Sequence, residues 1–75
     1  MATTTNLDLH GIKHEDVKQI LDKAIWKCMK QKKLRLYVIT GHSEPMKKIV
    51  NNIATEYGLC AVESMFNPAE LMIDF

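Results

Sequence analysis

The chain has 75 residues, of which 47% are hydrophobic and 25% are charged, and its formal net charge is +1. This composition excludes a largely disordered chain, and the length predicts one domain. The balanced charge excludes the strongly basic class of nucleic-acid-binding proteins that composition alone identifies. No apolar run approaches the roughly 20 residues of a membrane-spanning helix, so we expect no membrane partner.

The N-terminal residues 1–6 are polar, and we interpret them as a flexible tail without the apolar core of a secretory leader. Residues 7–10 (Leu-Asp-Leu-His) alternate between apolar and polar side chains, which predicts a short strand that ends at Gly11. Cys28 and Cys60 lie in apolar segments without Cys-x-x-Cys spacing, so we expect two buried, reduced thiols and a cytoplasmic protein.

The strongest helical pattern follows, with apolar residues three and four apart, and it predicts a helix at about residues 14–31. Trp26 lies beside this apolar face and is expected to be half-buried. A basic cluster without acids ends the helix: Lys27, Lys30, Lys32, Lys33 and Arg35. It is interpreted as a solvated helix end that the dipole favours, or as an extension of a nucleic-acid footprint. It lies about 25 Å from the start of the helix, too far away to form the catalytic pocket.

Residues 34–39 alternate again and predict a second strand, which continues into Thr40-Gly41-His42-Ser43. Ser43 is a favourable N-cap for a second helix, which Gly58 is expected to end.

Two short strands are predicted at residues 60–66 and 70–75, and the Asn-Pro-Ala turn at 67–69 predicts a hairpin between them. The chain order is therefore β-α-β-α-β-β, an α/β domain over residues 7–75.

Strand–helix–strand units are normally parallel, so the C-terminal ends of the first two strands should lie at one edge of the sheet. Helix N-termini at that edge present free N–H groups, which suit a phosphate-bearing ligand. The residues expected there are Asp8, His10, Gly11, Lys13, His14, Thr40, Gly41, His42, Ser43, Lys47 and Lys48.

Asp8 and His10 share one strand face, so Asp8 could orient the imidazole or help to hold a cation such as Mg²⁺ while His10 acts as general acid or base. The alternative is that Asp8 binds neighbouring backbone N–H groups and His10 caps the following turn. His42 could bind phosphate or have no role. A zinc site from the three histidines and an acid is a weaker alternative.

Lysines at this edge offer sequence-independent contacts to phosphate, or they are simply solvated. They are Lys13, Lys47 and Lys48.

The Leu-Asp-Leu-His-Gly motif at residues 7–11, followed by a helix and by Thr40-Gly41 before a second helix, resembles the Smr (small MutS-related) domain family over nearly the whole chain. The resemblance implies a two-layer α+β sandwich, with two helices on one face of a four-stranded mixed sheet. It also implies nucleic-acid binding and, in several members, endonuclease activity on DNA or RNA. By position, Asp8 and His10 match the acid and histidine of the first motif.

The second motif departs from the family pattern, because Ser43 replaces a glycine and Glu44 adds a negative charge. The sequence is therefore compatible with three functions. They are a nucleic-acid-binding endonuclease, a non-catalytic nucleic-acid-binding domain, and a protein-interaction module or inhibitor that reuses the fold. The near-zero net charge motivates the third.

Overall fold

The computed structural model describes residues 3–75, which follow the predicted element order. The elements are β1 (Thr4–Asp8), α1 (His14–Lys30), β2 (Arg35–Ile39), α2 (Glu44–Glu56), β3 (Ala61–Glu63) and β4 (Glu70–Asp74). No helix in this part of the chain is both long enough and apolar enough to span a membrane.

The strands form one mixed sheet in the spatial order β1-β2-β4-β3. β1 runs parallel to β2, with Leu7 opposite Val38, whereas β4 runs antiparallel to both β2 and β3. The parallel pair brings the C-terminal ends of β1 and β2 to one edge of the sheet. The four-stranded mixed sheet that the family resemblance implied is confirmed.

Both helices pack on one face of this sheet and bury a single core. On that face, β2 contributes Leu36 and Val38, and β4 contributes Leu71 and Ile73. The helices contribute the apolar side chains whose three- and four-residue spacing predicted them: Val17, Leu21, Ile25 and Cys28 from α1, and Met46, Val50, Ile53 and Ala54 from α2. The domain is therefore a two-layer sandwich.

The first strand begins earlier than predicted. The sequence placed it at residues 7–10 after a flexible tail at 1–6, but β1 covers Thr4–Asp8, so the prediction is wrong for residues 4–6. These polar residues lie in register with Arg35–Tyr37 of β2, and backbone pairing of this kind does not require apolar side chains. Residues 1 and 2 of the predicted tail lie outside the described part of the chain.

The predicted helix ends agree closely with the structure. α1 stops at Lys30, and Lys32 then takes the left-handed conformation with φ of +57°. The Oγ of Ser43 accepts a hydrogen bond from the Met46 N–H over 3.3 Å, which confirms the predicted N-cap of α2. Gly58, with φ of +74°, follows α2 as predicted.

The hairpin of β3 and β4 is confirmed, but β3 is shorter than the predicted strand at 60–66. The Ser64 N–H donates to the Glu70 carbonyl over 2.9 Å, and the Glu70 N–H donates to the Asn67 carbonyl over 3.0 Å. Residues 64–69 therefore form the connecting loop. Met65 and Phe66 project from it, 88% and 94% exposed.

Two expectations about side-chain burial are wrong. Trp26 is 67% exposed because it lies next to the apolar stripe of α1 and not on it. Cys60 is exposed in the connection before β3, whereas Cys28 is buried as expected, and burial raises the pKa of its thiol.

Adjacent positions on α1 give a matched test of this packing. Ile25→Ala removes a fully buried side chain and is expected to lower the free energy of unfolding by about 2–5 kcal/mol. Trp26→Ala removes an exposed side chain and should change the free energy of unfolding by less than about 0.5 kcal/mol. Urea unfolding followed by far-ultraviolet circular dichroism measures both, and equal losses would contradict the assigned helix face.

Candidate functional site

A tight turn joins β1 to α1 and places His10 at the corner. Leu9 is fully buried, and its N–H donates to the Ile39 carbonyl of β2 over 2.8 Å. The Ile12 N–H then donates to the Leu9 carbonyl over 3.0 Å, which closes a four-residue turn. Gly11 has φ of +81° at the third position of this turn, where a type II turn requires a positive φ. His10 is consequently exposed at the end of β1.

Asp8 helps to hold this turn. Its Oδ1 accepts a hydrogen bond from the backbone N–H of His10 over 2.8 Å. This contact corresponds to the structural alternative considered for Asp8, in which the carboxylate binds a neighbouring backbone amide. Asp8 therefore positions the backbone of His10, and the imidazole remains exposed to solvent.

The loop after β2 is fixed by one carbonyl of the β3–β4 connection. The N–H groups of Thr40 and Gly41 both donate to the Ala69 carbonyl, over 2.9 and 3.0 Å. Thr40 is only 3% exposed, and its hydroxyl lies 3.0 Å from the Gly41 carbonyl and 3.3 Å from that of Ala69. Thr40 thus positions the loop, and its N–H and that of Gly41 are already used within the protein.

The two motifs meet where His10 lies against Gly41. A Cβ atom on Gly41 would lie 3.5 Å from Cδ2 of the His10 imidazole, and Gly41 has φ of +69°. Because Gly41 has no side chain, the His10 ring lies within van der Waals distance of the loop backbone. We call His10, Gly11, Gly41 and His42 the motif corner.

The N-termini of the two helices differ at this edge. Ser43 caps α2 and thereby uses one of its first N–H groups. Lys13 occupies the N-cap position of α1 without a side-chain hydrogen bond, so α1 presents the more open N-terminus beside His10. Glu15 and Asp16 in its first turn complement the helix dipole.

The three lysines predicted at this edge differ in their exposure and in their contacts. The Nζ of Lys47 lies 2.9 Å from Glu63 and 3.6 Å from Glu44, and its side chain is 11% exposed. The hydrogen bond that the Lys47 ammonium donates to Glu63 is the main cause of the raised pKa of Lys47. Lys13 and Lys48 are exposed, as is His42. A ligand at this edge would therefore meet two solvated lysines, one lysine already paired with carboxylates, and the exposed carboxylates of Glu15 and Asp16.

The structure gives the zinc alternative no support. Within residues 3–75, no group of three or more histidine, cysteine and acidic side chains is arranged to hold a metal ion. The motif corner contains two of the three histidines, His10 and His42, while His14 begins α1.

The family model that matches this chain is that of the Smr domain, over residues 7–66 of 75. The chain belongs to the Smr family. The matched range includes both motifs and ends within the loop before β4. A comparison with curated proteins and one with solved structures each find no match.

Two residues that shape this Smr site were not singled out from the sequence. Ala69 acts through its backbone carbonyl, which no side-chain pattern reveals. Glu63 neutralises Lys47 from 16 residues away, and only the placement of β3 beside α2 brings the two together.

The contact between His10 and Gly41 can be tested with matched glycine substitutions. Gly41→Ala and Gly58→Ala both force an alanine into a positive φ and should each cost about 1 kcal/mol of stability. A Cβ at Gly58 meets nothing within 4 Å, whereas one at Gly41 touches the His10 ring. Nuclear magnetic resonance should show a larger shift of the His10 imidazole signals in Gly41→Ala, and equal shifts would argue against the contact.

The pairing of Lys47 predicts a variant with increased affinity for nucleic acid. Glu63→Gln weakens the strongest partner of this ammonium, so Lys47 can contact phosphate. The slope of log affinity against log salt should then steepen by about 0.9, the value for one additional phosphate contact on duplex DNA. Glu70→Gln, which removes the same charge on the opposite face of the sheet, is the control. Equal slopes in both variants would exclude release of Lys47.

Proposed function

We propose that this Smr domain binds nucleic acid at the motif corner and cleaves a phosphodiester bond with His10 as the proton-transfer group. The observation that carries the proposal is the position of His10. Its imidazole is exposed at the junction of both family motifs, beside the more open N-terminus of α1. A helix N-terminus attracts phosphate through its free N–H groups and its dipole.

The charges near the corner predict moderate, salt-sensitive binding. Lys13 and Lys48 are exposed cations, whereas Lys47 is held by two carboxylates. With so few phosphate contacts, affinity should resemble non-specific binding, with a Kd on the order of 10⁻⁴–10⁻⁶ M at physiological salt. The chain has no large basic excess, so binding should depend on this edge and not on overall charge.

The proposed chemistry assigns one role to each group. His10 takes the proton from the attacking water, or from a ribose 2′-hydroxyl, as the new oxygen–phosphorus bond forms. The leaving oxygen takes a proton as its bond to phosphorus breaks, either from the imidazolium of His10 or from solvent. The N–H groups at the start of α1 and the Lys13 ammonium stabilise the negative charge that develops on the phosphate oxygens.

The decisive experiment compares the natural chain with His10→Ala and His14→Ala on labelled single-stranded and duplex DNA and RNA, with Mg²⁺, Mn²⁺ or EDTA. Removing a general acid or base typically costs about 10²–10⁴-fold in rate, so His10→Ala should lose cleavage. His14→Ala is the matched control at the same edge and should retain it. Cleavage that survives in His10→Ala would refute the assigned role.

Non-catalytic binding is the second candidate, and the contact of Asp8 favours it. The carboxylate that could orient the imidazole instead accepts the backbone N–H of His10. Under this alternative, fluorescence anisotropy detects salt-dependent binding of an oligonucleotide, none of the substrates is cleaved, and His10→Ala changes affinity by less than about twofold, as for a weak solvated contact.

A further inference from the structure

β1 has a free edge on the side away from β2. The Thr3 carbonyl and the Leu9 N–H both bond towards β2, over 2.7 and 2.8 Å. Backbone groups of alternate strand residues point to opposite sides, so those of the intervening even-numbered residues point away from β2. Within residues 3–75, no strand pairs with that side. The outward-pointing N–H and carbonyl groups belong to Thr4, Asn6 and Asp8.

A groove of about 570 Å³ runs beside this edge, between β1 and α1. Its floor is apolar and includes Leu7, Ile20 and Ala24, which are only partly buried by the rest of the chain. Lys23 and Lys27 of α1 stand along it, and none of the described residues that line it is acidic. The groove therefore combines unpaired backbone, apolar surface and positive charge.

We propose that this groove binds an extended segment of a partner protein, which adds a strand to β1 and carries an apolar side chain between two acidic ones. An added strand satisfies the outward backbone groups of β1, and every second side chain then faces the groove. The central apolar side chain lies on the floor near Leu7. The flanking carboxylates lie near the ammonium groups of Lys23 and Lys27.

Two other occupants match these features less well. A second copy paired through β1 would bring the lysines of both grooves towards each other, and like charges in such an interface oppose association. A nucleic acid matches the lysines, but it leaves the apolar floor of the groove without a partner. The groove follows α1 from Ile20 towards the C-terminal end of the helix, whereas the motif corner lies at its start, so the two sites are separate.

The probe is a blocked seven-residue peptide, Thr-Glu-Thr-Leu-Thr-Glu-Thr, in which the glutamates and the leucine share one strand face. Its basic counterpart has lysine in place of both glutamates. A third peptide keeps the acidic sequence but carries N-methyl groups on its backbone, which block strand pairing. Each is titrated into the full chain labelled with ¹⁵N, and amide exchange of Thr4, Asn6 and Asp8 is followed in parallel.

The acidic peptide should shift the signals of these three amides and slow their exchange, and the methylated peptide should do neither. Lys23→Glu/Lys27→Glu should weaken the acidic peptide about tenfold and favour the basic one, because two ion pairs are reversed. Lys30→Glu/Lys32→Glu makes the same change of net charge outside the groove and should stay within twofold of the natural chain.

Any of four results would overturn the proposal. The first is that the acidic peptide leaves the β1 amides unchanged in the folded chain. The second is that the two double variants lose affinity equally, which indicates a long-range charge effect. The third is that an oligonucleotide, and no peptide, shifts the groove residues. The fourth is a dimer in light scattering that already protects the β1 amides. Failure here leaves the nuclease assay with His10→Ala unaffected.

Discussion

The central position of β2 is the constraint on which the rest of the structure depends. β2 pairs with β1 in parallel on one side and with β4 in antiparallel on the other. The parallel pairing brings the ends of β1 and β2 together, and the antiparallel pairing places the start of β4 beside them. Ala69, just before β4, can therefore hold the Thr40–Gly41 backbone, and Gly41 in turn lies against His10. The site is a product of strand order.

The sequence predicted most of the architecture because burial follows local periodicity. The apolar spacing of α1 and α2 and the signals at Ser43 and Gly58 are local, and the structure agrees with them. The start of β1 was missed because residues 4–6 become a strand only through pairing with β2. Trp26 was misplaced because its position at the border of the apolar stripe allows either orientation. Periodicity alone does not decide such cases.

The sequence predicted where the candidate site lies in the fold, but it did not predict the contacts within the site. Strands joined through a helix normally run parallel, and this rule correctly predicts that His10 and Gly41 lie close together. It could not reveal that Asp8 holds a backbone amide or that Thr40 is buried. It also could not reveal that Glu63 pairs with Lys47, because that contact joins residues 16 positions apart on two different elements. Residue type thus identified the edge, whereas tertiary contacts determine which groups there remain available to a ligand.

The hydrogen bonds from Thr40 and Gly41 to the Ala69 carbonyl have a consequence for the synthesis of the protein. A ribosome adds both motifs before Ala69, because residues 7–11 and Thr40-Gly41 precede it in the chain. The carbonyl that accepts the hydrogen bonds of the second motif is added 29 residues after Thr40, and β4 follows it. A nascent chain that ends before residue 69 therefore carries both motifs without the contact that fixes them. The motif corner acquires its shape only after Ala69 and β4 have left the ribosome.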